Sequence, residues 1–173
     1  MAKNLKDVVF ISALRTPIGK FKGLWKKSQA HELGKIVILN ILQQTKIKPE
    51  FIDEVIMGQV LTGGAGQNPA RQAAIAAGIP VEKTAYVINQ VCGSGLRSIA
   101  AGYQSILLNE SKIVIAGGQE SMTNAPHAIN INDGKKLEES NLIDTMIKDG
   151  LWDAFNGYHM GVTAENVASK WQI

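Results

Sequence analysis

Cysteine, histidine, aromatic residues and long apolar runs are all scarce in this chain, and each scarcity closes off a class of protein. A single cysteine, Cys92, in 173 residues excludes an intrachain disulfide framework and fits a reducing compartment. His31, His127 and His159 are the only histidines, and no two ligand-type residues have metal-binding spacing, so no metal site is expected. The most apolar helical stretch is broken by Asn40, which argues against a membrane span. The opening MAKNLKDVVFIS lacks the apolar core and cleavage site of a signal peptide, so the expected location is cytoplasmic. The glycines of TGGAGQN make neither a dinucleotide fingerprint nor a P-loop, because Pro69 and Ala70 stand where those motifs need glycine or lysine.

What is present reads as an ordinary folded domain. Hydrophobic residues make up 45% and charged residues 19%, a balance that can bury a core and is unlike that of a disordered chain. The net charge of +3 is partly concentrated in GKFKGLWKKSQ, where Lys20, Lys22, Lys26 and Lys27 interleave with Phe21 and Trp25. No nucleic-acid motif surrounds them, so a solvated loop is expected and no nucleic-acid partner.

Along the chain, strand-like and helix-like segments alternate. DVVFISALR, bounded by Thr16-Pro17, predicts a buried strand. SQAHELGKIVILNILQQ predicts a helix capped by Ser28, whose apolar residues nearly encircle it. DEVIMGQVL is a second strand, and a helix follows with Asn68 as cap, Pro69 at its first position and Gly78 just past its end. AYVINQ is a third strand leading to Cys92. Behind the cysteine, Leu96, Ile99, Ala100, Tyr103, Ile106 and Leu107 repeat at helical spacing and predict a core-facing stripe. KIVIAGG is a fourth strand. The pattern predicts an α/β fold, a mostly parallel sheet covered on both faces. Beyond residue 119 the chain turns polar and irregular, so residues 1–119 are read as an α/β half and 120–173 as a separate, partial domain. Short helical pieces are expected in LIDTMIKDGLWDAF, and a last helix in VTAENVASKWQI with Thr163 as cap.

Cys92 has two readings. Free cysteines are usually buried and idle. This one, however, lies where a strand ends and a helix begins, beside unpaired N–H groups and the positive helix end that favour an anion. Gly93 and Gly95 remove side chains that would crowd an approaching thioester. The arrangement is a nucleophile elbow in outline, without the Gly-x-Ser-x-Gly of serine hydrolases.

Taken in order, VVFISALRTPIGKFKG, DEVIMGQVLTGGAGQNPARQAAIAAGIP, NQVCGSGLRSI, AGGQESMTNAPH and DGLWDAFNGYHMGVTAENVA closely resemble the thiolase family, in its biosynthetic branch of acetyl-CoA acetyltransferases. The likeness runs over nearly the whole chain and is weakest in LWKKSQAHE and NINDGKKLEES. The related β-ketoacyl synthases fit NQVCGSGLRSI and GGQESM less well. The resemblance implies the N-terminal half of the thiolase fold, a layered mixed or parallel sheet with covering helices, plus part of the family's loop domain.

It also implies a chemistry. Cys92 would accept an acetyl group from acetyl-CoA as a thioester. A second acetyl-CoA, deprotonated at its methyl carbon, would then attack to give acetoacetyl-CoA and CoA, and thiolysis would run in reverse. His159 and Met160 in NGYHMG would line the acyl and pantetheine end of the pocket, and Leu151 would pack against CoA. Met122 and His127 read as structural. No cofactor is implied beyond CoA as the carrier of substrate and product, and full-length members are expected to be homo-oligomers, tetramers in particular. The family's Gly-His-Pro histidine, Cys-x-Gly cysteine and Asn-Glu-Ala-Phe asparagine do not occur in these residues. The expectation is therefore an N-terminal piece, inactive alone, completed by a C-terminal half that could be separately encoded. The alternative is a non-catalytic thiolase-like domain that binds CoA or a partner.

Overall fold

Residues 7–131 and 142–173 are described by the computed structural model. They fall into two compact units that divide between Asn124 and Ala125, where the sequence had suggested a boundary after residue 119. The polar stretch 132–141, read above as irregular, lies outside the described residues, as do residues 1–6 of the opening segment.

The first unit is built on a parallel sheet of β1 (Glu54–Gly58), β2 (Thr84–Ile88) and β3 (Val114–Gly118), in the order β2-β1-β3. Gly58 stands opposite both Ile88 and Gly118, so all the carboxyl ends finish level. Helices α1 (Ala30–Thr45), α2 (Pro69–Ala76) and α3 (Ser94–Leu107) connect and cover it. Alternation along the strands decides the layers. Val55, Met57 and Ile115 point into one core with Ala70, Ala73 and Ala74 of α2 and with Ile38 and Leu42 of α1. The opposite face receives α3, whose Gly102 sits against Val114 and Ala116. The parallel α/β layering read from the sequence is the one observed. No helix among the described residues is long and apolar enough to cross a membrane.

Local chemistry explains the boundaries of α2. Asn68, at φ 43°, accepts the N–H of Arg71 at 3.1 Å, Pro69 occupies the first turn, and Gly78 leaves the helix at φ +88°, a conformation side chains rarely adopt. Asn68 also donates to the Ala85 carbonyl of β2 at 2.8 Å, and the Arg71 guanidinium donates to the carbonyls of Val81 and Lys83. The helix is thereby tied to the strand it precedes.

Four sequence expectations are corrected. The segment read as the first strand forms no strand, and Val9 and Phe10 are 72% and 80% exposed. A strand needs a neighbour for its N–H and C=O groups, and this segment has no ladder partner among the described residues. In α3 the buried residues are Ser94, Ser98, Gly102 and Ser105, whereas Leu96 of the expected core stripe is 74% exposed and Tyr103 46%. Small residues let that helix approach the sheet more closely than leucines would. The first residue outside α1 is Gln29, not Ser28, and its N–H is accepted by Glu32 at 2.7 Å. The Ser28 carbonyl instead accepts from Ser121 and Asn124 at 2.9 and 2.8 Å. Only Ala30, Gly34, Ile38 and Leu42 of α1 are buried, one narrow stripe where near-complete burial had been expected.

The second unit contains a short antiparallel pair, β4 (His127–Ala128) and β5 (Ile143–Asp144), a π-helical turn over Met146–Leu151, and α4 (Met160–Trp171). The short helical pieces expected in this region thus reduce to one π turn after β5. Thr163 does not cap α4. The helix starts earlier and its cap is His159.

Asp53 locks the start of β1 to the start of β3. Its Oδ2 accepts the N–H groups of Lys112 and Ile113 at 2.8 and 3.1 Å, its own N–H donates to the Ile113 carbonyl at 2.9 Å, and Lys83 Nζ lies 3.7 Å from Oδ1. The Lys112 N–H, followed by that of Ile113 and the charges of Lys83 and Lys112, holds the carboxyl below its ordinary 3.8 despite partial burial. A depressed acid stabilises the fold above its unfolded pKa, and that contribution is lost as pH falls through the folded value. Asp53→Asn should therefore cost about 1 kcal/mol at pH 7, the scale of a part-exposed charge-assisted pair. The gap in Tm between variant and parent should close as thermal melts are taken down through the acid range below pH 3.8. A gap independent of pH would show that the carboxylate charge contributes nothing. Gly58→Ala tests the other end of the same strand. A Cβ there would overlap the Ser94 carbonyl carbon, with Gly95 N at 2.5 Å and Ser94 O at 2.7 Å, all backbone that cannot swing aside. The expected loss is roughly 1–3 kcal/mol, and an unchanged Tm would mean that α3 is not seated as described.

Candidate functional site

The level carboxyl ends of β1, β2 and β3 are where an open parallel sheet usually meets its ligands. Here the backbone ladder continues past the strands: Gln59 N–H donates to the Ile88 carbonyl at 3.1 Å and Gln119 N–H to the Gly58 carbonyl at 2.9 Å. The side chains continue it. Gln119 Nε2 donates to Gln59 Oε1 at 2.9 Å, and Gln59 Nε2 donates to the Leu61 carbonyl at 2.9 Å, with both glutamines buried. Glu120 then accepts the N–H groups of Val60 and Leu61 at 2.8 and 3.1 Å. Burial pushes the Glu120 carboxyl up, and the two N–H groups only partly offset it. This buried polar net holds the loops after β1 and β3 in fixed relation, next to the exit from β2.

Cys92 lies at that exit and is exposed rather than buried. The chain leaves β2 at Ile88 and turns through Gln90–Gly93, with Gly93 N–H donating to the Gln90 carbonyl at 3.0 Å. Val91 occupies the second position of the turn at φ 48°, a left-handed conformation in which a β-branched residue is an outlier. Helix α3 begins two residues after the thiol, at Ser94, with Gly93 as its cap and no side-chain cap bond. The two glycines differ in what they allow. A Cβ on Gly93 would press on the Gln90 side chain and carbonyl at 3.3 Å, while one on Gly95 would meet nothing within 4 Å. The crowding at Gly95 comes from the other direction, since a Cβ on Gly58 would lie 2.5 Å from Gly95 N. Ser98, fully buried, places its Oγ 2.6 Å from the carbonyls of Gly95 and Gly117 and so pins the first turn of α3 to β3.

Leu151, His159 and Met160 belong to the second unit and come together there. Trp152 and His159 form an antiparallel bridge, which sets Leu151 and Met160 beside it along the two runs of chain. Asp153 organises the intervening loop. It accepts the N–H groups of Phe155 and Asn156 at 2.8 and 2.9 Å and the Asn156 amide at 2.8 Å, and that side-chain bond leads in holding its carboxyl below the ordinary range. His159 Nδ1 accepts the N–H of Gly161 at 2.9 Å, which leaves Nε2 as the nitrogen that faces away from the helix. His159 is therefore first a helix cap, a role its sequence context did not announce. His127 pairs with Asp144 across β4 and β5, its Nε2 3.9 Å from Oδ2.

Sequence reasoning did not single out Asn89, Val91 or Ser94. Of these only Asn89 carried a signal, an asparagine just past a strand being a common acceptor in Asx turns. The strain at Val91 has no signature in composition or periodicity.

Comparison with known proteins returns one consistent family. Residues 8–173 match the family described as thiolase, N-terminal domain. The chain is 58% identical over 169 residues to an acetyl-CoA acetyltransferase of Paracoccus denitrificans, covering 98% of this chain and 43% of that protein. It is 54% identical to an acetyl-CoA acetyltransferase of Rhizobium meliloti, covering 96% and 42%, and 51% identical to the cytosolic acetyl-CoA acetyltransferase of Rattus norvegicus, again covering 96% and 42%. The chain thus spans less than half the length of these relatives. Over that span the parallel sheet, the glycine-seated helix and the exposed cysteine all fall within the matched residues, and the chain belongs to the thiolase N-terminal domain family.

Proposed function

We propose that this chain is the N-terminal part of an acetyl-CoA acetyltransferase and that Cys92 carries the acetyl group. The observation behind the reading is the exposed thiol on a strand-to-helix turn at the carboxyl ends of the sheet, in a chain 50–58% identical to the relatives so named. In the first step Cys92 Sγ attacks the carbonyl carbon of acetyl-CoA, the bond from that carbon to the CoA sulfur breaks, and CoA leaves as a thiol once protonated. A thioester is exchanged for a thioester, so the acetyl group stays activated. In the second step another acetyl-CoA loses a proton from its methyl carbon, and that carbon attacks the acetyl carbonyl. A carbon–carbon bond forms, the bond to Sγ breaks, and acetoacetyl-CoA departs. Reverse thiolysis uses the same thioester.

The residues at hand serve the two steps unequally. The exposure of Cys92 leaves its thiol accessible to the first acetyl-CoA. Leu151, His159 and Met160, gathered at the head of α4, suit the acyl and pantetheine end, with His159 Nε2 as their polar donor. The second step needs a base at the methyl carbon, and no Gly-His-Pro histidine or second cysteine occurs in the sequence. We assign that base to a C-terminal half, whether on the same longer chain or separately encoded. Exposed apolar groups on the first unit, among them Phe10 and Leu96, are consistent with a surface that such a half would cover. The relative from rat carries "cytosolic" in its name, which favours the cytoplasm for this chain too.

The test is acetyl transfer followed by intact-mass measurement. Incubation with acetyl-CoA should add one acetyl group to the 173-residue chain, removable by CoA, and Cys92→Ser should abolish it. Acetoacetyl-CoA formation by the chain alone should fall below detection, since loss of a general base costs about 10²–10⁴-fold. It should appear when the C-terminal half of a relative is supplied. A chain that binds CoA but is never acetylated at Cys92 would favour a non-catalytic binding domain, and thiolysis by the purified chain alone would overturn the assignment of the base.

A further inference from the structure

The turn before Cys92 is held in a conformation that its own residue resists. Val91 has φ 48°, and a β-branched side chain in that region costs free energy that the surroundings must supply. Both peptide groups of Val91 are gripped by neighbouring side chains. Its N–H donates to Asn89 Oδ1 at 2.9 Å. Its carbonyl accepts the Ser94 hydroxyl at 2.6 Å and the Ser94 N–H at 3.1 Å. The same hydroxyl accepts the N–H of Gln90 at 2.8 Å, so one side chain spans the turn from its first residue to its second. Ser94 is buried and cannot drift, because Gly58 presses on its backbone and admits no Cβ between them.

We infer that Ser94, with Asn89 as its partner across the turn, is a positioning residue that holds the strained Val91 and thereby presents the Cys92 thiol. The inference rests on the reading of Cys92 as the acyl carrier for its purpose, but not for its measurement. The alternatives for each group are bland. A serine in the first turn of a helix often faces solvent, and here Gly93 rather than Ser94 holds the cap position. The hydroxyl is committed to the turn instead. An asparagine after a strand often faces solvent, and here it accepts the one N–H whose direction depends on the sign of φ at Val91.

The mechanism makes a claim that simple structural importance would not. If Ser94 acts by holding a conformation valine dislikes, a residue that adopts it freely should make Ser94 dispensable. Glycine is that residue. The readout is the second-order rate of alkylation of Cys92 by iodoacetamide in the folded 173-residue chain, which is unambiguous because no other cysteine is present. Ser94→Ala should slow alkylation roughly 5- to 20-fold, the range for losing one or two hydrogen bonds. In a Val91→Gly background the same Ser94→Ala change should slow it less than about 2-fold, the coupling that a double-mutant cycle isolates. Asn89→Ala should behave as Ser94→Ala does, and Asn89→Ser, which keeps an acceptor, should recover most of the rate. Should Ser94→Ala melt below the assay temperature, the cycle is run with Asn89→Ala, an exposed site that carries the same prediction. Equal, additive slowing in both backgrounds, or no slowing at all, would overturn the positioning role. Acetylation by acetyl-CoA is then measured on the same variants. A cycle that holds for alkylation with no acetylation of the parent would leave the positioning role standing and sink the acyl-carrier reading.

Discussion

The first turn of α3 lies so close to the sheet that there is no space for a Cβ where β1 ends. Gly58 meets the backbone of Ser94 and Gly95, a Cβ on Gly118 would meet the Gly58 carbonyl at 3.3 Å, and one on Gly102 would come within 3.0 Å of Val114. A helix that packs on Ser94, Ser98, Gly102 and Ser105 buries little apolar area for its length. Its attachment therefore relies on close backbone contact and on the Ser98 hydroxyl reaching Gly117, where most helix–sheet seams rely on interdigitated aliphatic groups. Dispersion is steep in distance, so a seam of this kind is sensitive to a single added methyl. Everything downstream depends on it: where Ser94 sits, hence how the turn runs, hence where Cys92 faces.

Seating α3 by its small residues has a second consequence. The apolar stripe that would ordinarily be its inner face is left part-exposed, with Leu96 at 74% and Tyr103 at 46% while Ile99, Ile106 and Leu107 are half-buried. The opening segment leaves Val9, Phe10 and Ile11 similarly open. Isolated exposed leucines need no explanation, but two whole segments patterned for burial do. The chain spans 42–43% of the length of its relatives, and these surfaces are where additional chain would find apolar area to bury.

This is also what divides the legible from the illegible in the sequence. The three strands of the sheet, the Asn68–Pro69 start and Gly78 stop of α2, and the strand–cysteine–helix order could all be read, because each is local: β-branched runs, caps and turn residues act within a few positions. The face that α3 presents could not be read. Periodicity reports which side of a helix is apolar, and on that basis Leu96, Ile99 and Tyr103 had the stronger claim. The competing stripe of serines and glycines carries no hydrophobic signal, although small residues at spacing four are what a close approach requires. The strand expected at the opening failed for a related reason, since a strand is a property of a pair and its partner is not encoded in its own residues. At the candidate site, Cys92 stood out as the lone cysteine between a strand and Gly93. The left-handed Val91 and the grip of Asn89 and Ser94 were invisible, because hydrogen bonds over two to four residues from common polar side chains look like any loop. His159 was singled out through resemblance and turned out to be a helix cap as well.

The costs at the head of α3 are concentrated in one place. A valine sits at positive φ, and a helix begins after Gly93 without a side-chain cap. A left-handed β-branched residue costs on the order of 1–3 kcal/mol, and glycine in place of a side-chain cap only a few tenths more. Replacing Val91 by glycine would remove the first cost and a serine or asparagine at position 93 the second, so neither residue is dictated by local stability. Local rules broken together, where a remedy is a single substitution away, mark places where conformation serves something other than stability. The Gly93 and Ser94 N–H groups donate to the carbonyls of Gln90 and Val91, so the head of α3 is bound into the turn itself. A strained valine gripped by Asn89 and Ser94 thus turns an ordinary strand-to-helix connection into a turn that holds one sulfur in the open.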